Sequence, residues 1–117
     1  MAMMKPTNLF SILSDSTRLR ALMLIQAESE VCVCELTFTL SESQPKISRH
    51  LALMREAGIV ESRREGTWMH YRMNPQLPIC AKEIIRHIYD RLAGSSPYID
   101  DKNQLAQMNN RPERNCA

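Results

Sequence analysis

The segment from Ser43 to Gly58 constrains the fold of this 117-residue chain more than any other segment. Ser43 is a favourable N-cap residue, and Pro45 falls in the first turn of the helix that would follow, where its missing N–H costs little. Ile47 and Leu51 begin an apolar stripe with the spacing of one helix face, and Gly58 is typical of the residue that follows a helix. The sequence therefore predicts a helix with two well-defined ends.

A shorter helix is predicted just before it, over residues 34–40, because Leu36 and Leu40 lie four positions apart. Two helices joined by a short polar turn are typical of the helix-turn-helix motif, whose second helix enters the major groove of DNA by its N-terminal turns. Polar and basic side chains suit phosphates and base edges. The predicted DNA contacts are Gln44, Lys46, Ser48, Arg49 and His50. For His50, which lies beside the apolar stripe, a half-buried position is the alternative.

The distribution of charge favours the same helix. The net charge of +2 is too small to indicate a nucleic-acid partner by itself. Residues 1–40 contain three basic and four acidic side chains, whereas residues 43–55 contain three basic side chains and no acidic one. This local positive patch is the feature expected of a DNA-binding surface, and an ordinary solvated helix face is the alternative.

The segments around the motif predict a winged helix of mixed but mostly α class. Two helices are predicted before it, over residues 6–13 and from about residue 15 to 26. After it, residues 59–64 and 67–73 are predicted to form a β-hairpin around a tight turn of an acidic residue and Gly. The tip of such a wing contacts the DNA backbone or minor groove, and a solvated turn is the alternative. The predicted wing contacts are Arg63 and Arg64.

A fifth helix is predicted from Leu77 to Leu92, ended by Gly94, with an apolar stripe over about four turns. A monomer of this size buries only about two-thirds of its unfolded surface. We therefore predict a homodimer through the first and fifth helices, with packing onto the monomer's own core as the alternative. Residues 1–94 are predicted to form one DNA-binding and dimerisation domain, and residues 95–117 a flexible polar tail.

Cys32 and Cys34 lie one residue apart, close to the predicted start of the third helix. Paired thiols favour soft metals. Residues two apart share a face in an extended segment but point about 200° apart on a helix, so a shared site requires a non-helical start to the third helix. Two small buried apolar residues are the alternative interpretation. The three histidines are widely spread and predict no histidine metal site.

The sequence favours a cytoplasmic, non-enzymatic protein without a membrane partner. It has no apolar run of the about 20 residues that a membrane span needs, and its first residues lack the apolar core of a secretory signal. The cysteines are accordingly expected to be thiols. A dithiol redox enzyme is the alternative from another class, but the strand-helix-strand pattern of thioredoxin is missing from the sequence.

Four segments resemble the arsenical-resistance operon repressors of the ArsR/SmtB metalloregulator family. They are LSDSTRLR at 13–20, CVCEL at 32–36, SQPKISRHLALMR at 43–55 and GTWMHYR at 66–72. The resemblance extends roughly over residues 8–92. It implies a homodimeric repressor that binds double-stranded operator DNA and is released when trivalent arsenic or antimony binds its cysteines, with no organic cofactor. Rival inducers on the same fold are cadmium, lead, zinc and thiol oxidation.

The resemblance implies Cys32 and Cys34 as ligands and leaves the third ligand open. The family often has a third cysteine where this chain has Thr37, whose hydroxyl is a poor donor to a soft ion. We predict Cys116 as the third ligand, followed by an exogenous thiol or water and then by Cys80.

Overall fold

The structure is a computed structural model that describes residues 5–109 and residue 111. Within this part of the chain, six helices and three strands follow one another. Their bounds are α1 (Pro6–Leu13), α2 (Ser16–Glu28), β1 (Glu30–Cys32), α3 (Val33–Leu40), α4 (Gln44–Glu56), β2 (Val60–Glu65), β3 (Trp68–Met73), α5 (Ile79–Leu92) and α6 (Tyr98–Ala106). The predicted winged helix-turn-helix is confirmed, and two short elements, β1 and α6, are additional.

The ends of the helices follow from local side-chain chemistry. The Asp15 carboxylate caps α2 by accepting a hydrogen bond from the Arg18 backbone N–H at 3.0 Å, and this bond holds the pKa of Asp15 below its usual value. The Ser43 hydroxyl caps α4 in the same way through the Lys46 N–H at 3.4 Å. Gly58, just after α4, has a φ of 79°, a conformation that favours glycine. The predicted ends of α4 are therefore confirmed.

The predicted hairpin is part of a three-stranded antiparallel sheet in the order β1-β3-β2. Strand β1 pairs with β3 so that Val31 lies opposite Tyr71 and Cys32 lies opposite His70. Because side chains alternate across a strand, Val31 and Tyr71 share the face that packs on the hydrophobic core, and Cys32 and His70 share the other face. No strand was predicted at β1, because three residues are too few to show a strand pattern.

The core lies between the helices and the inner face of the sheet. The stripe predicted for α4 is buried, with Ile47, Leu51 and Met54 packed against residues of α2 and α3. Leu36 of α3 and Ile85 of α5 belong to the same cluster. No helix in the described part of the chain combines the length and apolarity needed to cross a bilayer.

The C-terminal segment differs from the prediction of a flexible tail over residues 95–117. Tyr98–Ala106 form α6, which packs its buried Leu105 into the core. Asp101, only 4% exposed, accepts two hydrogen bonds from Arg20 of α2, at 2.8 and 2.6 Å. The prediction was wrong for this helix because its few apolar and acidic side chains acquire partners only in the folded protein. Residues 110 and 112–117, which include Cys116, lie outside the described residues.

We expect Asp101→Asn to reduce the free energy of unfolding by about 1 to 3 kcal/mol, because the Arg20 guanidinium loses a charged partner in a half-buried position. Urea denaturation followed by circular dichroism measures the change. Asp100→Asn is the matched control on the exposed side of α6 and should change the stability by no more than about 0.5 kcal/mol. Equal effects of the two substitutions would show that the buried ion pair does not hold α6 in place.

Candidate metal centre and nucleic-acid interface

Cys32 and Cys34 converge at the junction between β1 and α3. Cys32 is the last residue of β1 and the N-cap of α3, with extended backbone angles (φ −85°, ψ 152°), and Cys34 lies in the first turn of the helix. Their Sγ atoms are 3.0 Å apart. The predicted non-helical start is confirmed for Cys32, whereas Cys34 is already helical. The two sulfurs therefore meet without unwinding α3.

Glu35 holds this junction in place. It is completely buried, and its Oε1 accepts a hydrogen bond from the Cys32 backbone N–H at 2.8 Å, which is one half of a capping box. Its Oε2 accepts a hydrogen bond from Nε of Arg111 at 2.5 Å. Sequence reasoning missed Glu35, because the usual signal for this arrangement has Ser or Thr, and not Cys, three residues before the glutamate.

His70 lies directly opposite Cys32 on the neighbouring strand, on the same face of the sheet. The imidazole is fully buried, and neither ring nitrogen has a hydrogen-bond partner among the described residues. Nδ1 lies 3.8 Å from a carboxylate oxygen of Glu30. The sequence did not indicate that His70 lies opposite Cys32, because the pairing of β1 with β3 brings together residues 38 positions apart.

The described residues supply two soft donors and no third. No group of three or more His, Cys, Asp or Glu side chains in this part of the chain is arranged to hold a metal ion. The Thr37 hydroxyl donates a hydrogen bond to the Cys34 carbonyl at 2.9 Å and is occupied by the backbone. Cys80 is exposed in the first turn of α5, beside α1. Two converging thiols fit a soft ion.

The first two turns of α4 present the side chains predicted to contact DNA. Gln44 donates a hydrogen bond to the Ser48 hydroxyl at 2.8 Å, and Lys46 forms an ion pair with Glu42 at 3.4 Å. Arg49 is exposed, and its guanidinium makes no hydrogen bond or ion pair with the described residues. Their shared position at the start of an exposed helix is suited to binding phosphates and bases.

His50 occupies a different position from the other four. Its Nδ1 lies 3.3 Å from the Arg18 guanidinium, which also donates hydrogen bonds to the carbonyls of Ser11 and Ile12 at the end of α1. The half-buried ring thus links α4 to α1 and α2, as in the alternative considered for it. A DNA contact by His50 stays a prediction.

The two arginines of the wing have different surroundings. Arg63 donates two hydrogen bonds to Glu30, at 2.8 and 2.7 Å, and one to Glu65 at 2.8 Å. The hydrogen bonds to Glu30, which have the larger effect, and to Glu65 hold the pKa of Arg63 above its usual value. Arg64 points to the other face of the strand and is exposed, with no ion pair to the described residues. Arg63 thus joins β2 to β1 through Glu30. Arg64 has no ion pair with the described residues and is therefore better placed to bind a phosphate.

An apolar groove of about 240 Å³ lies between α1 and the start of α5. Its lining residues are Pro6, Leu9, Phe10, Pro78, Cys80, Ala81 and Ile84. Two large apolar side chains at this surface remain open to solvent, Phe10 at 56% and Ile79 at 73% exposure. The first helix and the start of the fifth helix therefore both contribute apolar side chains to this groove.

Comparison with known proteins agrees with this architecture. The family model described as "Bacterial regulatory protein, arsR family" matches residues 15–62. The chain is 45% identical over 112 residues to the arsenic resistance transcriptional regulator ArsR1 of Pseudomonas putida, a match that covers 96% of this chain and 86% of that protein. This chain belongs to the ArsR family.

Two further relatives support the membership. The arsenical resistance operon repressor of Escherichia coli is 49% identical over 85 residues, which cover 73% of each chain. The crystal structure of the transcriptional repressor BigR from Xylella fastidiosa superposes with a TM-score of 0.61 and 30% identity, over 76% of this chain and 87% of that one. Helix-turn-helix regulators of the ArsR family bind operator DNA and are not enzymes, which confirms the predicted class of function.

We expect Arg49→Ala to weaken operator binding at least tenfold in a gel-shift or fluorescence titration. If Arg49 contacts phosphate, the slope of log K against log salt should also become shallower by about 0.9. Arg86→Ala, on the exposed surface of α5, is the matched control and should leave both quantities unchanged. Unchanged affinity and slope in Arg49→Ala would remove this residue from the interface.

Proposed function

We propose that this chain is a metalloid-responsive transcriptional repressor. It binds double-stranded operator DNA as a homodimer and releases it when trivalent arsenic or antimony binds the thiols of Cys32 and Cys34. The observation that carries this proposal is the 3.0 Å separation of the two Sγ atoms at the start of α3, the helix that precedes α4. The names of the relatives, which refer to arsenic resistance, support the choice of inducer.

The third ligand in this proposal is Cys116. Arg111 is bonded to Glu35, whose other oxygen holds the Cys32 N–H, so residue 111 lies close to the thiol pair. The five residues that follow Arg111, up to Cys116, span at most about 17 Å, which is enough to return to Cys32 and Cys34. A third thiolate suits a soft trivalent ion better than the Thr37 hydroxyl does. An exogenous thiol is the alternative donor.

The link between the inducer site and DNA is the connection between α3 and α4. Only residues 41–43 separate the two helices, and Ser41 has a left-handed conformation with a φ of 54°. Leu36 and Leu40 of α3 pack in the same core cluster as Leu51 of α4. A displacement of the first turn of α3 is therefore transmitted to α4. To shift the repressor from 1:99 to 99:1 in favour of release, inducer has to favour the weak-binding state by about 5.5 kcal/mol.

The dimer in this proposal is formed by the apolar surface of α1 and α5. A second copy of the chain would cover Phe10, Ile79 and the groove beside them. Helix-turn-helix dimers bind two half-sites about one helical turn apart, so two copies of α4 are needed to read an operator of two-fold symmetry.

The thiol proposal predicts that Cys32→Ser and Cys34→Ser keep operator binding and lose release by arsenite. The loss follows because a hydroxyl does not replace a thiolate toward a soft ion. A gel shift with increasing arsenite measures it, and Cys80→Ser is the matched control that should respond like the wild type. For Cys116→Ser we expect release at higher arsenite concentrations.

Two results would contradict this assignment. Loss of operator binding by Cys34→Ser in the absence of arsenite would mean that the thiols support the fold rather than sense an inducer. Release by cadmium or peroxide at concentrations where arsenite and antimonite have no effect would replace the inducer by another soft metal or by thiol oxidation.

The dimer proposal predicts that Phe10→Glu raises the dimer dissociation constant at least tenfold, because a charge would be buried in an apolar surface. Sedimentation equilibrium measures the constant. Phe38→Glu places the same change on an exposed phenylalanine of α3 and should alter the dissociation constant by less than about twofold. A monomeric wild-type protein at micromolar concentration would exclude this dimer.

A further inference from the structure

The last described part of the chain is fastened to the helices that flank the thiol pair. We define the C-terminal strap as residues 98–109 and 111. The Asp101 carboxylate of the strap binds Arg20 of α2, and Leu105 is buried in the core. These contacts fix the path of the strap across α2 and α3 and bring Arg111 to the start of α3.

The Arg111 guanidinium bridges the two ends of the loop that contains β1. Its Nε donates a hydrogen bond to Glu35 at 2.5 Å, and one terminal nitrogen donates to Glu28 at 3.0 Å. Glu28 is the last residue of α2, and Glu35 lies in the first turn of α3. Charge-assisted hydrogen bonds are stronger than neutral ones, and the planar guanidinium binds both carboxylates in one fixed orientation.

Arg111 therefore acts on the thiol pair through Glu35. A fully buried carboxylate is costly unless it is paired and hydrogen-bonded. The Glu35 oxygens bind the Cys32 N–H on one side and Arg111 on the other. Loss of the guanidinium would favour a Glu35 side chain that turns toward water, and the Cys32 N–H would lose its acceptor.

The two Sγ atoms are closer together than the binding of one ion by both thiols allows. Two bonds of about 2.3 Å, the length of a zinc–thiolate bond, would meet at an angle of only about 80° if the sulfurs stayed 3.0 Å apart. Tetrahedral and pyramidal sites need a wider angle. The sulfurs of Cys32 and Cys34 thus have to move apart when they bind one ion. Glu35 and Arg111 oppose this movement, because they hold the backbone at the start of α3.

We propose that Arg111 is a positioning residue that restrains the start of α3 and so raises the inducer concentration needed for release of DNA. This inference rests on the proposed function, because it concerns the threshold of the same switch. Arg111 resists the separation of the two sulfurs. Its loss therefore lowers the inducer concentration needed for release and leaves the affinity for the operator unchanged.

The test compares Arg111→Ala with the wild type and with Arg91→Ala, which removes an exposed arginine at the end of α5. Hydrogen exchange of the peptide around Cys32, measured without inducer, should be about tenfold faster in Arg111→Ala, because a charge-assisted hydrogen bond to Glu35 is lost. Half-release from the operator should occur at an arsenite concentration about three- to tenfold lower. Operator affinity without arsenite should stay within twofold. Arg111→Lys, which keeps the charge but not the planar fork, should give intermediate values.

The exchange rate tests the restraint on α3, and the arsenite concentration for half-release tests its effect on the switch. Unchanged exchange in Arg111→Ala would show that the strap does not restrain the start of α3. An unchanged or higher arsenite concentration for half-release would also overturn the proposal, since a higher value would mean that Arg111 assists inducer binding by holding Cys116 near the thiol pair more than it resists the separation of the two sulfurs. If arsenite released neither protein, the proposed function and the threshold would both be wrong, while faster exchange would still establish the restraint.

Discussion

The buried carboxylate of Glu35 is the interaction on which the geometry of the thiol pair depends. By accepting the Cys32 N–H it ends β1 and begins α3 within one residue, so that an extended Cys32 and a helical Cys34 direct their sulfurs to the same point. A regular helix or a longer strand at this position would give a different spacing. The junction therefore combines a helix cap and a pair of soft donors in the same four residues.

The position of this junction in the fold places it next to the helix predicted to bind DNA. Helix α3 shares its core contacts with α4 and is joined to it by three residues, so the two helices form a packed pair. Other connections reach α4 from elsewhere, since Arg18 joins the end of α1 to His50. The helix predicted to read DNA is thus connected both to the thiol pair and to the apolar surface proposed for the dimer.

Much of the scaffold was predictable because its signals are local. The caps, the Pro45 turn and the apolar stripe of α4 are each determined by residues within four positions of one another, and all were confirmed. The hairpin was predictable from its turn residues for the same reason. Strand β1 was not predicted, since a three-residue strand has no pattern of its own and forms because β3 offers it an edge.

The sequence by itself determined the helix-turn-helix, the wing and the presence of a thiol pair, since each of these depends on neighbours along the chain. Only the tertiary structure decided that His50 and Arg63 have partners within the protein, that His70 lies opposite Cys32, and that Arg111 reaches Glu35. These contacts join residues more than thirty positions apart. A pattern of spacing along the chain does not encode such pairings, because only the fold decides which distant segments become neighbours.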